Sequence, residues 1–151
     1  MERTTERRTC STVMRKPAGT QTRVSSVLNR DGKNYGKKNM FDCDEETCWN
    51  SDQGECQWVS LEFPGPVRVS EVKVQFQGGF SAKTCRLEGG LKNGDFTELD
   101  QFYPEDNNAL QSFPIQEATT VNKVKIFFEN SVDFFGRIIV YSLDVLGEKA
   151  S

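Results

Sequence analysis

Trp58-Val59-Ser60-Leu61-Glu62-Phe63 alternates without a break, so Val59, Leu61 and Phe63 fall on one face of an extended chain and Ser60 and Glu62 on the other. The same period returns in Val72-Lys73-Val74-Gln75-Phe76-Gln77, Cys85-Arg86-Leu87-Glu88, Phe96-Thr97-Glu98-Leu99, Val124-Lys125-Ile126-Phe127-Phe128 and the run Arg137 to Leu146. Turn formers separate these runs. Pro64-Gly65-Pro66 is expected to end the first strand, Gly78-Gly79 to turn the second, and Asn93-Gly94-Asp95 to close a hairpin. Pro114 keeps Leu110–Ile115 at a sheet edge, since proline cannot donate to a ladder. No stretch of useful length carries a helical period. Short strands joined by short turns predict an all-β sandwich or barrel, antiparallel because such connections cannot make parallel crossovers.

The 151 residues suit one domain with one core. Met1 to Thr22 is polar, with neither helical nor strand period, and reads as a flexible basic tail; the ordered domain is expected over residues 23–151. The lack of an apolar run in this tail reads against a signal peptide or membrane anchor and predicts a protein that stays inside the cell, in the nucleus or cytoplasm. A formal net charge of −3 argues against a general grip on nucleic acid phosphates. Histidine is absent, which removes Ser-His-Asp, Cys-His and His-ligated metal chemistry together. We therefore read the chain as a binding module, expected to be monomeric, and not as an enzyme. The five cysteines, an odd set without an export signal, fit reduced thiols better than a disulfide framework.

Chemistry-bearing residues concentrate in Phe41 to Ser51, where acidic groups, Thr47, Cys43 and Cys48 precede Trp49. A zinc site from Cys43, Cys48, Cys56 and Cys85 is disfavoured, because neither Cys43–Cys48 nor Cys48–Cys56 has the two-residue knuckle gap. Trp49 and Trp58 are expected in the core more than on a ligand platform. Phe80 follows Gln77, Gly78 and Gly79 at a strand end, where a loop projects it outward. In Asp133-Phe134-Phe135-Gly136-Arg137, one Phe is expected to pack inward and Arg137 to reach the loop end.

Ser25-Ser26, the string Phe41 to Ser51, Gln57 to Phe63 and the closing Leu143-Asp144-Val145-Leu146-Gly147 resemble the discoidin, or coagulation-factor type C, family. The resemblance implies a galactose-binding-like antiparallel jelly-roll β-sandwich. Arg23 to Asn29, Asp44 to Gly54, Phe76 to Phe80, Tyr103 to Asn108 and Leu146 to Lys149 resemble a small intracellular, nuclear-receptor-associated branch of it. That narrower likeness implies a module that binds a nuclear receptor and represses receptor-driven transcription by hindering its contact with DNA. The broader one implies the alternative of a glycan- or lipid-binding lectin. It also places the binding loops at the end holding Gln77 to Phe80, with Tyr35, Lys37, Lys38 and Arg137 as neighbours. By the same likeness one structural calcium ion would take side-chain oxygens of Asp42 and Asp144, oxygens of Thr47, and mainly carbonyls of Asn39, Asp44 and Leu143, a donor set suited to this hard cation. Cys43 stands where the family usually has glycine, which strains any positive φ in that loop.

Overall fold

The structure is a computed structural model that describes residues 19–150; the expectation of a flexible tail falls largely outside them. The described residues form seven strands: β1 (Gln21–Val24), β2 (Trp49–Asn50), β3 (Cys56–Phe76), β4 (Ala82–Gly90), β5 (Thr97–Phe102), β6 (Leu110–Ser131) and β7 (Ile139–Lys149). One short helix, α1 (Gly32–Tyr35), lies between two 3-10 turns, Leu28–Arg30 and Lys37–Met40. Gln21 and Thr22, assigned to the tail from sequence, already pair with Glu62 and Leu61.

All pairing among the described strands is antiparallel. The first half of β3 takes β1 on one side and the second half of β6 on the other, and β6 leads on to β4 and then β5. The second half of β3 lies between the first half of β6 and β7, and β7 carries β2. Two sheets thus face each other, and β3 and β6 pass from one into the other, which is the sandwich the alternation predicted and the jelly roll the resemblance implied.

The passage explains one departure from the sequence reading. Pro64-Gly65-Pro66 does not end the strand; it bends it. The pairing of β3 with β6 breaks between Glu62 and Val67 and resumes beyond, so the residues unable to hold a ladder sit where the chain changes sheets. Pro114 lies in the half of β6 at a sheet edge, as its missing N–H requires. Alternation puts Val59, Leu61, Phe63, Val72, Val74, Phe76, Val124, Ile126 and Phe128 inside. Trp49 is wholly buried, its ring centre 5.9 Å from Phe128, which in turn meets Phe76 edge-on at 5.8 Å. Trp58, on the outward face, is only half-buried.

Candidate functional site

Gln77-Gly78-Gly79-Phe80 forms a tight turn at the end of β3. The Phe80 N–H donates to the Gln77 carbonyl at 3.0 Å, and Gly79, with φ of +91°, supplies the left-handed backbone such a turn needs at its third position. The loop Tyr103 to Asn108 clamps it. Asn108 Oδ1 accepts the Gly78 N–H at 2.6 Å, and Asp106 Oδ1 accepts the Gly79 N–H at 2.8 Å and the Ser81 hydroxyl at 2.9 Å. Tyr141 Oη donates to Gln77 Oε1 at 2.9 Å.

A second loop leans on this turn. The Val132 N–H donates to the Ser81 carbonyl, and the Gly136 N–H closes a turn onto the Asp133 carbonyl. Asp133 Oδ2 accepts the Arg137 backbone N–H at 3.1 Å and Arg137 Nε at 3.2 Å, while the guanidinium lies 5.2 Å from the Phe80 ring centre. Burial alone would raise the Asp133 carboxyl, but the hydrogen bonds from Arg137 outweigh it and hold the group below its ordinary range. Gly136 is required: its φ is +85°, and a Cβ there would stand 1.9 Å from the Gly54 carbonyl oxygen. That approach joins the loop to the segment before β3, where the Gly54 N–H donates to the Phe135 carbonyl at 3.1 Å.

The expectation for this loop needs correction. Neither Phe packs inward: Phe134 is 92% and Phe135 53% exposed, and the two rings meet edge-on with centres 5.1 Å apart. A turn bounded by the Asp133–Arg137 pair and by Gly136 against Gly54 leaves them no path to the core. The signal was present in Gly136, which marks a turn where a strand start had been expected.

Gln77, Gly78, Gly79, Phe80 and Arg137 are therefore brought together. Lys37 and Lys38 are not part of that cluster; they line a depression with Arg23 and Trp58, beside β1 and β3. Lys37 Nζ donates to the Thr22 carbonyl at 2.5 Å. Tyr35, half-buried, ends α1 next to Lys37.

Among the expected calcium ligands, Asp42, Asp44 and Thr47 converge. The Thr47 hydroxyl stands 2.6 Å from Asp42 Oδ2 and 3.3 Å from the Asp44 carbonyl oxygen, and Asp42 Oδ1 accepts the Asp44 N–H at 3.0 Å. Cys43 takes a φ of +61°, so the chain adopts the left-handed turn there despite its Cβ. Asn39 is buried, with Nδ2 donating to the Asn34 and Cys48 carbonyls, and its 3-10 turn packs on β7, where Leu143 and Asp144 sit opposite Val74 and Lys73. These oxygens fit a hard cation in kind, although no group of three acidic or cysteine side chains poised for a metal occurs among the described residues.

The cysteines behave differently from one another. Cys48, Cys56 and Cys85 are free thiols, Cys85 wholly buried and Cys56 exposed. Burial pushes the Cys48, Cys56 and Cys85 thiols up, Cys85 most, with Glu129 adding to the effect at Cys56 and Cys85.

A family model described as the NedA-like, galactose-binding domain of the F5/F8 type C class matches residues 31–126. The chain belongs to this galactose-binding-like F5/F8 type C family. Solved members of the fold superpose well: the C-terminal domain of a chitobiase from Bacteroides fragilis has a TM-score of 0.75 at 16% identity, covering 89% of this chain and 97% of that one. The family 32 carbohydrate-binding module of Clostridium perfringens NanJ, solved with galactose, has a TM-score of 0.69 at 15% identity over 83% of this chain and 92% of its own. At that identity the likeness establishes the jelly roll alone. Much nearer in sequence are proteins named nuclear receptor 2C2-associated protein. The Danio rerio protein is 70% identical over 86% of this chain and 92% of its own length, and the Homo sapiens protein 57% identical over 86% and 93%.

Proposed function

We propose that this galactose-binding-like domain is a non-enzymatic protein-interaction module that associates with a nuclear receptor in the nucleus or cytoplasm and represses receptor-driven transcription by keeping the receptor from its DNA element. The observation that carries the association is the 70% identity, across 86% of the chain, to a protein named for it. The contact surface in this reading is the end of the sandwich holding Gln77 to Phe80 and Arg137. Rings fixed at a loop end give apolar contact area at low entropic cost, which suits an interface anchor. One calcium ion held by Asp42, Asp44, Thr47, Asn39, Leu143 and Asp144 would brace the neighbouring loop and take no part in contact. Recovery of the receptor from nuclear extract by the wild-type domain and by Phe80→Ala tests the reading; loss of recovery with the variant supports it, and equal recovery contradicts the placement.

A glycan- or lipid-binding role is the second reading, and the exposed Phe134–Phe135 pair beside Arg137 favours it. A ring and a guanidinium at a loop end suit a sugar face, but here Arg137 is committed to Asp133 and Phe80. Titration with galactose separates the two, because a receptor module gives no saturable response.

A further inference from the structure

The outward face of the five-stranded sheet carries a second surface, away from the loop end. Trp58 on β3 stands directly across from Phe127 on β6, Ser60 from Lys125, and Glu62 from Lys123, while β1 places Arg23 beside Ser60. Cations cover the rings of this face: Lys125 Nζ lies 4.2 Å from the Trp58 ring centre, Lys123 Nζ 4.7 Å from that of Phe96, and the Arg86 guanidinium 4.2 Å from that of Phe127. Beside it, an apolar depression floored by Val24, Val27 and Trp58 is rimmed by Arg23, Lys37 and Lys38. A groove lined by Lys123, Lys125 and Phe96 adjoins it through the shared Arg23 and Trp58.

The charge here runs against that of the chain. Arg23, Lys37, Lys38, Arg86, Lys123 and Lys125 face Glu62, Glu88, Glu98 and Glu129, and Glu88 and Glu129 both bind Arg86. An excess of positive charge thus gathers on one face of a protein whose formal net charge is −3. We infer that this face docks an acidic peptide segment of a partner protein, with one bulky apolar side chain in the Val24–Val27–Trp58 depression and carboxylates on Arg23, Lys38, Lys123 and Lys125. Single-stranded nucleic acid fits less well. Bases need open ring faces, and the rings of Trp58, Phe96 and Phe127 are already capped by cations. Carboxylates need only the exposed ammonium and guanidinium groups, and the apolar depression gives the anchor that a purely electrostatic contact lacks.

Fluorescence anisotropy with a labelled oligoglutamate peptide carrying one central leucine tests this, with an oligoglutamine peptide of the same design and an oligothymidylate as the other arms. The acidic peptide is expected to bind the wild-type domain, to weaken with added salt, and to lose about tenfold in affinity on Arg23→Glu or Lys38→Glu, both surface changes that leave the melting temperature in place. Phe80→Ala is expected to leave peptide binding unchanged, which separates this face from the loop-end reading. Absence of binding to the wild type, equal binding to the Lys38→Glu variant, or tighter binding of oligothymidylate than of the acidic peptide would overturn the inference.

Discussion

Arg137 links Asp133 to Phe80: its Nε is 3.2 Å from Asp133 Oδ2 while the same guanidinium lies 5.2 Å from the centre of the Phe80 ring. One side chain thus holds two loops at the end of the sandwich, and the pose of Phe80 depends on a charge pair that does not itself need to touch a partner.

That pair has a pH signature. A carboxyl whose pKa is depressed in the folded state stabilises the fold above its unfolded value, and the stabilisation is lost as pH falls through the folded value. Asp133 is such a group. Between about pH 5 and pH 2 the wild-type domain is expected to lose stability more steeply than Asp133→Asn, with the two curves parallel at neutral pH. Urea midpoints across that range provide the check.

Gly136→Ala tests the loop's backbone. The new Cβ meets both a left-handed φ and the Gly54 carbonyl, so the cost is at least about 1–2 kcal/mol and the loop must shift. Faster chymotrypsin cleavage at the exposed Phe134 and Phe135 is the expected readout; an unchanged rate would mean that the two loops are not held by this approach.

Gln57 is 3% exposed and forms the joint between the Ser25-Ser26 segment and β3. Its Oε1 accepts the Ser25 hydroxyl at 2.5 Å and the Ser26 hydroxyl at 2.8 Å, and its Nε2 donates to the Asp52 carbonyl at 3.0 Å. Gln57→Leu removes all three hydrogen bonds, leaving the Ser25 and Ser26 hydroxyls only the N–H groups of Trp58 and Asp52, at a cost of roughly 1–3 kcal/mol, a fall of several degrees in melting temperature. Thermal denaturation followed by circular dichroism measures it.

Calcium added after chelation is expected to raise the melting temperature and to give saturable heat in isothermal titration, since a ligand bound only by the folded state stabilises it. Asp42→Asn removes the carboxylate nearest Thr47 and is expected to abolish both responses. No heat and no shift in the wild type would refute the metal.

The sandwich was legible in the sequence because alternation is a local signal: Val59, Leu61 and Phe63 declare their face without knowledge of any neighbour. The passage of β3 from sheet to sheet was not, because a Pro-Gly-Pro string looks the same whether it ends a strand or bends one, and only the pairing with β6 decides. At the site, Gly78 and Gly79 announced the turn, whereas the Phe80 ring expected to project is half-buried beneath the Arg137 guanidinium. Asp106 and Asn108, which clamp that turn, gave no such notice, since a side chain that caps backbone N–H groups across 27 and 30 residues leaves no local pattern. Phe134 and Phe135 were misread for a related reason. Two adjacent aromatics at a strand start ordinarily bury one ring, and what prevents it here is a tertiary contact, Gly136 against Gly54.

The most direct test is the affinity of the purified domain for purified nuclear receptor 2C2, measured by titration calorimetry with wild type, Phe80→Ala and Arg137→Ala. Saturable binding by the wild type, weakened about tenfold or more by Phe80→Ala with its melting temperature preserved, and to a lesser degree by Arg137→Ala, is the predicted result. Equal affinity across all three proteins, or no binding by the wild type, would contradict it.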